Sequence, residues 1–181
     1  MTKYQQQRAW SDAHITAVAD NLTAMYNVVP ATKIIGEIRP ADFKRDALEA
    51  SDLYSTTLQN ELGELRIGMR LRTVDNLGIG NRRNEFTIRW STINGKTSEY
   101  HKIMSGWMKH FYYGFADGGT IYKSVLLDMD IFRRIMLSWT SPWPDKPADM
   151  PGTGPIPNSD GTKFLAFNLD EFSTTVLAKT A

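Results

Sequence analysis

The sequence predicts one α/β (α+β) domain, a mixed central sheet flanked by helices. Three observations carry that expectation. At 181 residues, with 41% hydrophobic and 23% charged side chains, the chain can bury one core and is too apolar to stay disordered. Leu65–Thr73 and Glu85–Trp90 alternate apolar and polar residues with the period of a strand. The stretches around Tyr100–Phe111 and Phe132–Trp139 repeat apolar residues every three or four positions, the period of a helix.

The elements follow in order. Gln5 to Met25 reads as a helix, with Trp10, Ala13, His14, Ala17, Val18 and Met25 on one stripe, and Pro30 ends that region. Lys33–Ile38 is a short apolar run, weakened by Gly36, that suits a strand or a turn. Pro40-Ala41-Asp42 opens a short helix over 41–50. Asp52–Leu58, rich in Tyr and Thr, suits a strand, and 60–63 turn the chain. In Leu65–Thr73, Leu65, Ile67, Met69 and Leu71 share one face, and Arg66, Gly68, Arg70 and Arg72 the other. A Gly- and Asn-containing loop, 75–84, leads to Glu85–Trp90, which is expected to pair antiparallel with the strand before it. Thr97 or Ser98 caps a helix with the stripe Tyr100, Ile103, Met104, Trp107, Phe111, which 114–119 end. Thr120–Leu127 is a mostly buried strand, and Asp128 or Asp130 caps a last helix with the stripe Phe132, Ile135, Met136, Trp139.

Six of the eight prolines fall between Ser141 and Asn158, which reads as an extended arm or surface loop. Asp160-Gly161 then turns the chain into a final strand from Lys163 to Leu169. The organisation is a core over 1–140, a proline-rich arm over 141–158, and a C-terminal strand and tail over 159–181 belonging to the same domain.

Composition removes several chemistries. The chain has no cysteine, which excludes disulfides, a thiol nucleophile and cysteine-held metal. A formal charge of +1 excludes a globally basic nucleic-acid binder. His14, His101 and His110 lack zinc-binding spacing, His101 and His110 read as surface or edge residues, and neither GxSxG nor a P-loop is present. No apolar run approaches the ~18–20 residues that span a bilayer, and residues 1–8 carry no apolar signal. The expectation is no membrane partner and a location in the cytoplasm of a host cell or in a virion.

The charge is uneven, however. From Arg66 to Lys102 there are eight Lys and Arg against three acids. Arg66, Arg70 and Arg72 project together, and Arg89 joins them if the next strand's polar face matches. With Lys96 and Lys102 they form a candidate surface for DNA or RNA phosphates. The alternative is a solvated face whose charges pair with Glu64, Glu85 or Glu99. Asp52 and Glu64 open neighbouring strands and could together hold Mg²⁺, with Arg66 steadying the water or leaving phosphate. Their alternative role is to offset nearby arginines. Trp107, Phe111, Tyr112, Tyr113 and Phe115 are either core or base-stacking residues. Glu99, His101 and Lys102 form a third, unordered acid–base set.

The order helix–strand–strand–strand–helix–strand, with Asp52 on an early strand and Glu64-Leu65-Arg66 on the next, resembles the PD-(D/E)XK (restriction-endonuclease-like) nuclease superfamily. The resemblance implies a restriction-endonuclease-like core, Asp52 and Glu64 as Mg²⁺ ligands, and Arg66 in place of the usual Lys. A different register puts Arg70-Leu71-Arg72 at the triplet, where the acid is missing, and implies a fold without catalysis. The segments Asp46–Leu53, Arg66–Arg72, Glu85–Arg89, Thr97–Ile103, Tyr113–Ala116 and Asp160–Phe167 also look like a group of uncharacterised phage and prophage proteins, over roughly residues 45–170. Together these imply a phage-type nucleic-acid-binding protein, with Mg²⁺-dependent phosphodiester cleavage as its catalytic form. The other reading is a non-enzymatic viral interaction or assembly protein, either a host-factor inhibitor or a homo-oligomer exchanging residues 141–158.

Overall fold

A computed structural model describes residues 3–29, 38–40, 53–55, 65–74, 84–92, 97–139, 153–158 and 161–180. Two helices open the chain, α1 (Lys3–Ala13) and α2 (Ile15–Val28). Three strands follow, β1 (Ile38–Pro40), β2 (Leu53–Ser55) and β3 (Leu65–Thr73). Next come β4 (Glu85–Ser91), α3 (Glu99–Met104), β5 (His110–Asp117), β6 (Thr120–Asp128) and α4 (Met129–Trp139). The chain ends with β7 (Thr153–Pro157), β8 (Lys163–Asn168), a 3₁₀ turn (Ser173–Thr175) and β9 (Val176–Thr180). The expected helix over 41–50 and the loop at 75–83 lie outside the described residues.

The strands form two sheets. A six-stranded mixed sheet runs β1-β2-β3-β5-β6-β9, and a three-stranded sheet runs β4-β8-β7. β3 and β5 are parallel, so the chain crosses over between them by way of β4 and α3. The other ladders are antiparallel. The fold class expected from sequence is therefore observed as a mixed α/β arrangement with helices on a mixed sheet. β4 does not extend the sheet of β3, as had been expected, but pairs with β8, with Phe86 opposite Phe167 and Ile88 opposite Leu165.

One face of the large sheet is covered by α2. Val18, Leu22, Met25 and Tyr26 pack on Leu65, Ile67, Tyr112, Leu126 and Ala178. Asn21 fixes the register of this layer, because its Oδ1 accepts from the Tyr112 hydroxyl at 3.0 Å and the Ser124 hydroxyl at 2.7 Å. The opening helix is not continuous: it breaks at His14, which is buried. His14 Nδ1 donates to Trp10 O at 2.7 Å, and Nε2 accepts from the Gly119 N–H at 3.2 Å, tying the break to the β5–β6 turn.

The opposite face carries the small sheet together with α3 and α4. Phe86, Phe132, Phe167 and Phe172 form an aromatic cluster at the centre of this second core. Asp128 starts α4 as expected, its Oδ1 accepting from the N–H groups of Asp130 at 2.7 Å and Ile131 at 3.0 Å.

The expected helix after Ser98 is corrected most. Ser98 does cap it, but α3 ends at Met104, and Gly106 turns the chain at φ +77°. His110–Asp117, partly read as helix, is a central strand hydrogen-bonded on both sides, to β3 and β6. Its alternation sends Phe111, Tyr113 and Phe115 to one core and Tyr112 to the other, so the aromatic group is mostly core. The proline-rich segment is also corrected in part. Thr153–Pro157 is a strand paired with β8, while 140–152 lie outside the described residues. Among the described residues, no helix is long and apolar enough to cross a membrane.

Candidate nucleic-acid interface

β3 keeps the alternation read from its sequence, but both of its faces are occupied. Leu65 and Ile67 point to α2, whereas Arg70 and Arg72 reach β4 of the small sheet. Arg72 Nη2 donates to Thr87 Oγ1 at 2.9 Å, and Arg70 Nη1 approaches the same oxygen at 3.5 Å. Arg70 Nη2 pairs with Glu99 Oε2 at 2.8 Å, and that oxygen also accepts the backbone N–H of Arg89 at 2.8 Å. The Arg72 guanidinium lies beside the Tyr113 hydroxyl and 6.0 Å from the centre of the Phe164 ring. Its pKa is lowered, first by burial and then by the charge of Arg70. These two arginines thus cross-link the sheets, where the sequence suggested an open face. The contacts through Glu99 also bring Arg89 to them, with its own side chain exposed.

Arg66, at the other end of the same face, meets the turn after α3. The Lys109 N–H donates to Arg66 O at 3.0 Å, and the Trp107 N–H donates to Lys102 O at 3.1 Å. A Cβ on Gly68 would come within 2.7 Å of Met108 Sδ, so this turn lies directly on β3. Lys102, Trp107, Lys109 and Arg66 are therefore neighbours drawn from three elements. Trp107, expected on a buried stripe, is 38% exposed. Asp128, close by through the Met129 N–H to Lys109 O bond, has one carboxylate oxygen engaged by the first amides of α4.

Asp52, Glu64 and Lys96 lie outside the described residues. The strands that Asp52 and Glu64 precede are neighbours, with Leu53 opposite Ile67 and Leu65 opposite Ser55. The starts of β2 and β3 therefore fall at opposite ends of their antiparallel ladder. Among the described residues, no group of three or more His, Asp or Glu could hold a metal ion.

No known protein family, curated protein or solved structure matches the chain.

The remaining polar groups serve the fold. The Tyr26 hydroxyl and His110 Nδ1 are 2.5 Å apart in the core, so His110 is interior, where a surface or edge position was expected. Burial, then the charge of Asp128, pushes the Tyr26 hydroxyl well above its usual pKa. Ser98 Oγ lies 2.7 Å from His101 Nδ1. Glu99 is engaged by Arg70, and His101 by Ser98, so these contacts do not assemble Glu99, His101 and Lys102 into an acid–base site. Glu99 was among the acids expected to pair with the arginines and is the partner of Arg70, whereas Trp107 as an exposed ring was missed at the level of sequence. The signal available for Trp107 was Gly106, which could have ended the helix before it.

Proposed function

We propose that this chain is a phage-type nucleic-acid-binding protein on a nuclease-like fold. The observation that carries the reading is the exposed Trp107, in a turn whose backbone is bonded to Lys102 and, through Lys109, to Arg66. Cations gathered on neighbouring backbone attract phosphates, and an exposed indole offers a face for a base to stack on. Arg89 adds a further exposed cation on β4. Arg70 and Arg72 contribute less to this surface, because their guanidiniums are engaged between the sheets.

Mg²⁺-dependent phosphodiester cleavage is the catalytic form of the same reading. It rests on Asp52 and Glu64, with Arg66 beside the phosphate; the strands the two acids precede are neighbours, but their starts fall at opposite ends of the ladder. When bound, the ion would supply Lewis-acid stabilisation of the phosphate.

The deciding measurement is fluorescence anisotropy of a labelled oligonucleotide across a salt series. Three phosphate contacts predict a slope of log affinity against log salt of about −2 for a single strand and about −2.7 for a duplex. Arg66→Gln and Lys102→Gln should each reduce that slope by about 0.7–0.9. Trp107→Ala should weaken binding with little change in slope. Absence of salt-sensitive binding at low ionic strength refutes the reading. If binding is present, loss of Mg²⁺-dependent cleavage in Asp52→Asn with folding intact supports the catalytic form.

A further inference from the structure

The arginine pair between the sheets is short of negative charge. Arg70 and Arg72 stand two residues apart on one face of β3 and share Thr87 Oγ1. Among the described residues, the carboxylate that acts on both is Glu99, paired directly with Arg70 and acting on Arg72 through space. Glu99 is divided further, since the same oxygen accepts the Arg89 N–H. Arg72 is otherwise held by neutral groups: the Thr87 hydroxyl, the Tyr113 hydroxyl and the Phe164 ring.

Among the described residues, two cations against one carboxylate leave an excess positive charge where little water remains to screen it. Such a charge is costly without a counter-ion. A lysine there could lose its proton, but a guanidinium stays charged. Burial, and then the charge of Arg70, lowers the pKa of Arg72. An anion with several oxygens would offset that excess, because forked guanidinium donors can engage its oxygens two at a time.

We propose that Arg70 and Arg72, side by side between the two sheets, bind a phosphate-class oxyanion. The way in lies beside Arg70 and Glu99, whose side chains keep 14% and 19% exposure. Glu99 competes with the ligand for Arg70, so the site is tuned down in the unmodified chain. The ligand is either a free phosphate or the terminal phosphate of a nucleic-acid strand, which present the same oxygens. The site is separate from the Trp107 surface and stands or falls independently of it.

The test is calorimetric titration of the full chain with inorganic phosphate at low ionic strength. Saturable one-to-one binding is expected. Glu99→Gln removes the competing charge while its amide oxygen can still accept the Arg89 N–H, and should tighten binding several-fold. Arg72→Gln should weaken it tenfold or more. Trp107→Ala should leave it unchanged, which separates this site from the surface reading. Absence of saturable binding overturns the proposal, as does an affinity that Glu99→Gln does not raise. That second criterion holds even if Arg72→Gln fails to fold. A 5′-phosphorylated tetranucleotide compared with its 5′-hydroxyl form identifies the source. Preference for the phosphorylated form points to a strand end, and binding of phosphate without that preference points to the free ion; both support the site.

Discussion

Replacing Phe86 by Ala probes the packing of the two sheets most directly. Phe86 is fully enclosed. It stacks on Phe167 at 5.2 Å and meets Phe132 and Phe172 edge-on, each at 6.0 Å. Truncating a buried Phe to Ala costs about 3–5 kcal/mol, through lost transfer free energy and the cavity left behind. Aromatic pairs add about 0.5–1.5 kcal/mol each beyond buried area, so losing three places this site near the top of that range. Set against a total stability of about 5–15 kcal/mol, the loss is large enough to threaten folding. At about 2–4 °C per kcal/mol for a chain of this size, Tm should fall by about 6–20 °C. Thermal and urea unfolding followed by circular dichroism would measure it, with Phe86→Leu giving a smaller loss. A loss below about 1 kcal/mol would refute the packing of β4 on α4 and β8. The arginine face of β3 would then be open, contrary to its contacts with Thr87.

Two further outcomes follow from the interior. Burial pushes the Tyr112 hydroxyl up to about 12 and the Tyr26 hydroxyl well above its usual value. A raised folded-state pKa means that the fold favours the protonated form. The stability it contributes is complete below the unfolded value of about 10 and is lost as pH rises from there. For Tyr112 that loss approaches about 2–3 kcal/mol by pH ~12. Urea unfolding at stepped alkaline pH, alongside the tyrosinate absorbance, would check it; stability that stays flat above pH ~10 would sink the argument. Gly68→Ala would put a Cβ 2.7 Å from Met108 Sδ and 3.2 Å from the Phe111 ring. The thioether can turn aside but the ring is locked in the core, so a cost of about 1–3 kcal/mol is expected. A double-mutant cycle with Met108→Ala should show coupling between the two sites, and strict additivity would mean that no clash exists.

Elements with a clean local period were legible. β3 spans the residues its alternation predicted, Leu65–Thr73, and β4, β6 and β8 lie within a residue of expectation. Caps were legible too, because Ser98 and Asp128 act on amides two or three residues away. Tyr100, Ile103, Met104, Trp107 and Phe111 misled because their spacing fits a helix across a turn that Gly106 makes. The aromatic run Phe111–Phe115 takes its conformation from the strands on either side of it. The short β9, Val176–Thr180, was missed for a similar reason: its pairing with β6 is what makes it a strand.

By itself the sequence determined which residues alternate, which stripes are apolar, and that Arg66, Arg70 and Arg72 share a face. Those are properties of neighbours in the chain, set by the geometry of strand and helix. Only the tertiary structure decided what that face meets. β4 leaves the neighbourhood of β3 to pair with β8, about eighty residues later in the chain (Phe86 with Phe167), and lies over the arginines. There Glu99, Thr87, Tyr113 and the Phe164 ring surround the guanidiniums in place of water, and those neighbours come from four separate elements. A period along the chain says where a side chain points; whether solvent, a phosphate or a second sheet waits there depends on contacts that the period does not encode.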